Sequence, residues 1–288
     1  MSPDSVPPFD PAAIRAILLD IEGTTTPVEF VTGVLFPFAR AHMRGFLEAH
    51  AAEPEIRAEI EALRREHGAD SAKPEAPQPW GDSSAYQVEA AAGYALWLMD
   101  RDRKSTPLKS LQGRIWEAGY RSGELRGQVY PDVPPALARW KQQGRVIAIF
   151  SSGSVQAQKL LFRHSEAGDL TRYIDAYFDT TTGPKQQPQS YRRIADALAT
   201  LDKATSNVGR EEQRGALAPS SLPQADAERE GVKHQFGPEC ILFISDVPAE
   251  LDAARAAGMH TLLAVRSSAK PPCEASHRAI HSFEVVLP

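Results

Sequence analysis

The chain has 288 residues, 42% hydrophobic and 24% charged, a balance that suits a soluble globular protein long enough to bury a core. A net charge of -5, with no basic stripe interleaved with aromatics, excludes a nucleic-acid binder working by bulk electrostatics. Two cysteines, Cys240 and Cys273, exclude a disulfide framework, and neither stands at zinc-ligand spacing. No apolar run nears the roughly 20 residues that a membrane-spanning helix needs, and the start "MSPDSVPPFDPAAIRA" lacks the basic and apolar regions of a secretory signal. The expectation is a cytoplasmic protein, or a nuclear one in a eukaryote, that binds neither nucleic acid nor membrane and works as a monomer.

In chain order, "IRAILLD" (14–20) is a short apolar run ending in an acid, the pattern of a buried parallel strand. Helical patterns follow at 33–50, 53–68, 85–104 and 107–123, rich in alanine, leucine and straight-chain charged residues, with the loop "KPEAPQPWGD" between the second and third. Strand patterns return at "RVIAIFSSGS" (145–154), "CILFISDVP" (240–248) and "TLLAV" (261–265). Helical segments at 154–165, 188–201 and 248–258 separate them, the last stopped by Gly258. Strand–helix alternation predicts an α/β fold, a doubly wound parallel sheet of Rossmann-like type covered by helices on both faces. The expected organisation is a discontinuous core over 12–30 and 130–288, with an all-helical domain inserted over 31–129. Residues 202–238 carry few large apolar side chains and are expected to form a flexible insertion within the core.

Ligands gather at the carboxyl ends of parallel strands. Three such ends carry polar residues: Asp20 with Glu22, Ser151 with Ser152, and Asp246. Lys185 precedes a helix in "TTGPKQQPQS". Acids hold a magnesium ion, a hydroxyl and helix-start N–H groups bind an anion, and a lysine adds a point charge beside it. Acids alone repel phosphate; together with magnesium, a hydroxyl and a lysine they attract it.

"DIEGTT", "SSGS", a lysine before a helix and "ISDVPAE" stand in the order of the four motifs of haloacid dehalogenase-type phosphatases, which this chain therefore resembles. "LLDIEGTTTPVEFV", "IFSSGSVQAQKLLF" and "SYRRIADAL" narrow the resemblance to the enolase-phosphatases of methionine salvage, which form acireductone. It covers all but the first dozen residues and 202–238. The glutamate two residues after the first acid is its most specific feature, since most phosphatases of the superfamily carry aspartate there. The resemblance implies a haloacid dehalogenase-type core with a helical cap and one magnesium ion held by Asp20, Glu22 and Asp246. It also implies a small phosphorylated substrate, 2,3-diketo-5-methylthiopentyl-1-phosphate, that is enolised and dephosphorylated. Asp20 would be the nucleophile that becomes an aspartyl phosphate, and Glu22 the acid–base and the candidate enolisation base. Ser151 and Ser152 would hold phosphoryl oxygens, and Lys185 would neutralise charge on phosphate and on Asp20. Phe30, Phe36, Tyr94 and Trp97 are candidate liners of the substrate-tail pocket, against the plainer reading of helical aromatics as core. Glu250, four residues after Asp246, orients Lys185 or a metal-bound water, or is an acid in a helical first turn.

Three other readings compete. A phosphatase of the same superfamily acting on another small metabolite would release phosphate without forming an enediol. A phospho-accepting receiver domain also joins acids, a hydroxyl and a lysine, but has no "xEGT" after its aspartate and no helical insertion of this size. A catalytically dead binding protein would be expected to have lost Asp20 or Lys185, and both are present.

Overall fold

The computed structural model describes residues 9–73, 75, 77–81, 84–214, 236–266 and 276–288. In chain order the elements begin with β1 (Ala16–Leu19), α1 (Val28–Phe30), α2 (Phe36–His50), α3 (Pro54–Asp70), α4 (Ser84–Asp100) and α5 (Thr106–Ser122). Next come α6 (Val133–Gln142), β2 (Val146–Phe150), α7 (Val155–Arg163), β3 (Ala176–Phe178) and α8 (Pro188–Arg214). The chain closes with β4 (Ile241–Ser245), α9 (Pro248–Ala256), β5 (His260–Ala264) and β6 (Ala279–Ile280).

Among the described residues the strands form one six-stranded sheet, in the order β3-β2-β1-β4-β5-β6, with every pairing parallel. The chain winds outward from β1 to β3 and then returns to β4 on the other side of β1. The topological switch point thus falls between β1 and β4, where an open parallel sheet presents its ligand crevice. The central strands are buried on both faces, as their unbroken apolar runs require. Ala16, Leu18, Val146, Ala148, Phe150, Ile241 and Phe243 pack with Tyr191, Ile194 and Leu198 of α8 and Leu251 and Ala254 of α9. Alternate residues Ile17, Leu19, Ile147, Ile149, Leu242 and Ile244 are also fully buried.

The chain divides into two compact units. One comprises 1–25, 130–152 and 171–288 and contains the sheet; the other comprises 26–129 and 153–170. The helical unit has its own core, built from Ala39, Met43 and Leu47 of α2, Ile56, Ile60 and Leu63 of α3, Tyr94 and Leu98 of α4, and Leu108, Leu111 and Ile115 of α5. α7 belongs with this unit, although it follows β2 directly in the chain.

Some elements differ from the sequence reading. α6 is an addition: Pro134 and Pro135 sit in its first turn, where a missing N–H costs nothing. Ahead of α2 the helix widens to a π-turn over Val31–Leu35, with the Phe36 N–H bonding to Val31 O. Pro37 has no N–H to give the carbonyl four residues back, and the wider turn accommodates it. α8 runs on to Arg214, past the point where a flexible segment was expected to begin. Residues 215–235 of that segment lie outside the described residues, while Phe236 is buried in the sheet unit's core. β3 and β6 are short edge strands that the apolar pattern did not mark.

Candidate active site

Asp20 follows the last residue of β1 and stays in the ladder, its N–H bonding to Ile244 O at 3.0 Å. It is only 2% exposed. Oδ1 accepts the Ile21 N–H at 2.8 Å and Lys185 Nζ at 2.6 Å, and Oδ2 accepts Ser245 Oγ at 3.1 Å. The chain then turns sharply. Thr24 and Thr25 both direct their N–H groups to Ile21 O (3.2 and 2.9 Å), and Thr25 Oγ1 reaches back to Asp20 O at 3.1 Å. Thr25 thus closes the loop behind the acids.

Gly23 has φ +68°, a left-handed conformation that a side chain resists. A Cβ there would also stand 2.1 Å from Asp246 Oδ2. The first-motif loop and the acid at the end of β4 therefore touch through a bare backbone. Glu22 leans the other way, toward the end of β2, where Ser151 Oγ donates to its carboxylate at 3.3 and 3.5 Å. Ser151 is buried and Ser152 exposed.

Lys185 is delivered by a pinned loop. Gly183 (φ +142°) leaves no room for a Cβ beside Ser190 Oγ, which bonds to Pro184 O at 2.8 Å. The buried Tyr191 hydroxyl donates to Lys185 O at 2.7 Å. The ammonium lies between Asp20 Oδ1 and Glu250 Oε2, at 2.6 and 2.7 Å, with its side chain 9% exposed. Glu250 is therefore a partner of the lysine as well as an acid of a helical first turn.

Four acids, Asp20, Glu22, Asp246 and Glu250, surround one lysine, and protonation shifts accordingly. Burial, then the Asp20 charge, raises Glu22, lifts Asp246 to about 6 and lifts Glu250 to about 7. Burial works to lower Lys185, but Asp20 and Glu250 outweigh it and hold the amine above its ordinary value.

A hard dication suits this donor set. Among the described residues Asp246 Oδ1 is buried with no hydrogen-bond partner, and carboxylate oxygens exceed the positive charge facing them. Of the three carboxylates expected to hold the ion, Asp20 follows β1, Glu22 accepts Ser151 Oγ at the end of β2, and Asp246 follows β4. Among the described residues no three His, Cys, Asp or Glu side chains are grouped to hold a metal. Asp20 and Asp246 are the carboxylates that fit such an ion.

The candidate tail-binding aromatics are dispersed. Phe30 is buried, Tyr94 is core and bonds through its hydroxyl to Asp70 Oδ2 at 2.7 Å, and Trp97 stacks on Tyr94 with ring centroids 5.7 Å apart. Phe36 alone of the four is exposed, edge-on to Trp116 at 6.0 Å. Sequence reasoning missed Ser245. In "ILFIS" it shares a face with Ile241 and Phe243, and a hydroxyl at that inward position is the available signal.

Comparison with known proteins agrees with this geometry. Residues 14–209 match the family model of the haloacid dehalogenase-like hydrolases. The chain is 46% identical to enolase-phosphatase E1 of Synechococcus elongatus, over 95% of this chain and 98% of that one. It is 42% identical to enolase-phosphatase E1 of Pseudomonas syringae pv. tomato, over 96% and 98%. Among solved structures it is similar to the UTR4 protein (unknown transcript 4 protein) of Saccharomyces cerevisiae, with a TM-score of 0.66 and 29% identity, covering 94% of this chain and 99% of that one. Sheet order, motif placement and near full-length identity agree: the chain belongs to the haloacid dehalogenase-like hydrolases and, among them, to the enolase-phosphatase E1 family.

Proposed function

We propose that this protein is a magnesium-dependent enolase-phosphatase that converts 2,3-diketo-5-methylthiopentyl-1-phosphate to acireductone in methionine salvage. The observation that carries the reading is the convergence of Asp20, Glu22, Ser151, Lys185 and Asp246 at adjacent strand ends, in a chain 46% identical to an enolase-phosphatase E1.

Asp20 is the nucleophile. Its oxygen bonds to phosphorus as the bond to the leaving oxygen breaks, which splits one difficult displacement into two easier ones. Glu22, whose acidity burial weakens, is the proton carrier. As an anion it takes a proton from the carbon beside the carbonyl, which makes the enolate. It then gives that proton to the leaving oxygen, and finally takes one from the water that hydrolyses the aspartyl phosphate. Ser151 and Ser152 hold phosphoryl oxygens by donation, and Lys185 offsets negative charge on phosphate and on Asp20. Asp20 and Asp246 would hold the magnesium ion, which when bound supplies positive charge to the phosphate and the enolate. Each proposed group comes from a single chain, so a monomer suffices.

The test follows phosphate release and enediol absorbance together, with purified protein, magnesium and the diketone phosphate. Both signals together support the reading. Phosphate release from other esters with this substrate untouched reduces it to a phosphatase of another metabolite, and no phosphate release from any ester removes it.

A further inference from the structure

Ser245 takes no part in the mechanism described above, yet it lies beside the nucleophile. Its side chain is fully buried at the end of β4. Three groups meet its Oγ: the Val247 N–H donates to it at 3.1 Å, Asp20 Oδ2 lies at 3.1 Å and Glu250 Oε2 at 3.2 Å. Lys185 Nζ bridges the same two acids from the other side, at 2.6 Å to Asp20 Oδ1 and 2.7 Å to Glu250 Oε2. The four side chains close a ring, Asp20–Ser245–Glu250–Lys185.

A hydroxyl has one proton to donate. With one of its two lone pairs engaged by the Val247 N–H, Ser245 can donate its proton to Asp20 or to Glu250 at a given moment, not to both. On Asp20, Oδ1 already has two donors, the Ile21 N–H and Lys185, whereas among the described residues Ser245 is the donor at Oδ2. The serine therefore fixes the second oxygen and, with it, the plane of the carboxylate. Once Asp20 is esterified to phosphorus its anionic charge is gone, and Glu250 becomes the stronger acceptor for the same proton.

We propose that Ser245 is a positioning residue, a one-proton rotor that donates to Asp20 in the resting protein and turns to Glu250 when Asp20 carries the phosphoryl group. Glu250 anchors the alternative position and, through its ion pair, keeps Lys185 in place during both half-reactions. This rests on the assignment of Asp20 as the nucleophile. The rotor itself makes and breaks no covalent bond; its O–H swings from one carboxylate oxygen to another.

The experiment compares steady-state phosphate release by the full-length wild type, Ser245→Ala, Ser245→Thr, Ser245→Cys, Glu250→Gln and the Ser245→Ala/Glu250→Gln double variant, with magnesium present and a thermal melt of each. Ser245→Ala is expected to lower kcat about ten- to a hundredfold, as loss of a hydrogen bond to a charged group does, with KM within about twofold. Ser245→Thr, which keeps the hydroxyl, should restore most of the rate. The double variant should fall no further than its worse single variant, because both act through one ring. Should Ser245→Ala fail to fold, Ser245→Cys reads the same bond, exchanging a strong donor for a weak one at similar volume, and it too must lose kcat. A folded Ser245→Ala or Ser245→Cys with wild-type kcat overturns the proposal, as does a loss seen only in KM or a fully additive double variant. Absence of phosphate release by the wild type would instead strike the functional reading on which the rotor depends.

Discussion

At the residue scale, the site is an exercise in charge compensation. Lys185 sits within 2.7 Å of two carboxylates, and two further acids remain, one with a buried oxygen that has no hydrogen-bond partner among the described residues. Asp20→Asn should abolish phosphate release, by about a thousandfold or more, since an amide is not a competent nucleophile. An enolate that accumulates in that variant would show enolisation to be independent of Asp20. Lys185→Met should leave Asp20 and Glu250 facing each other without a cation, so kcat falls while the chain still folds; steady-state kinetics with a circular dichroism check reads both. The acids and the lysine were legible from sequence because motif order ties them together. Ser245 was not, because a serine at a strand end is ordinary until its neighbours are known. The link from Glu250 to Lys185 was open for the same reason: chain spacing does not show which way a first-turn carboxylate points.

At the scale of elements, local backbone geometry sets the site. The turn after β1 brings Gly23 against Asp246 at a φ of +68°, with no space for a Cβ. Gly23→Ala should therefore cost about 1–2 kcal/mol from the left-handed backbone alone, and more from displacement of Asp246. Denaturant melts should show the loss, and magnesium affinity should fall with it. The same loop is tied from outside by Arg266, whose Nε donates to Thr24 O at 2.9 Å while Nη1 pairs with Asp132 at 2.6 Å. Tyr130 and Phe283 flank its guanidinium at 4.6 and 4.2 Å. Long apolar runs and alanine-rich helices were legible because burial on both sheet faces and helical periodicity leave strong patterns. α6 was hidden by its two leading prolines, the π-turn by the proline that causes it, and β3 by its half-exposed, three-residue length.

At the scale of the whole molecule, two compact units respond to different variables. In the helical unit Asp70 is buried, and although burial works to raise its carboxyl, hydrogen bonds from Lys73, Tyr94 and Arg103 hold it near 2. A depressed folded value means that the stabilisation is complete above the unfolded value of about 3.8 and is lost as pH falls toward 2. Asp70→Asn should thus be less stable than wild type at pH 7, with the gap between the two closing between about pH 4 and pH 2. Thermal melts across that range check the sign. The sheet unit should respond to metal: at magnesium a hundredfold above Kd, binding to the folded state adds about 2.7 kcal/mol. That rise in melting temperature should disappear in Asp246→Asn. Fold class was legible at this scale because alternating strand and helix patterns admit few architectures. The boundary of the helical unit was not, since α7 follows a core strand in the chain yet packs with the other unit.

The most direct test of the central claim is to trap the covalent intermediate. The protein would be mixed with magnesium and the diketone phosphate, quenched in acid within a turnover, reduced with borohydride and mapped by mass spectrometry. A phosphatase of the proposed kind gives the mass change of a reduced aspartyl phosphate at Asp20, absent from Asp20→Asn. Rapid phosphate release with Asp20 unmodified, or an Asp20→Asn variant that turns over at the wild-type rate, would contradict it.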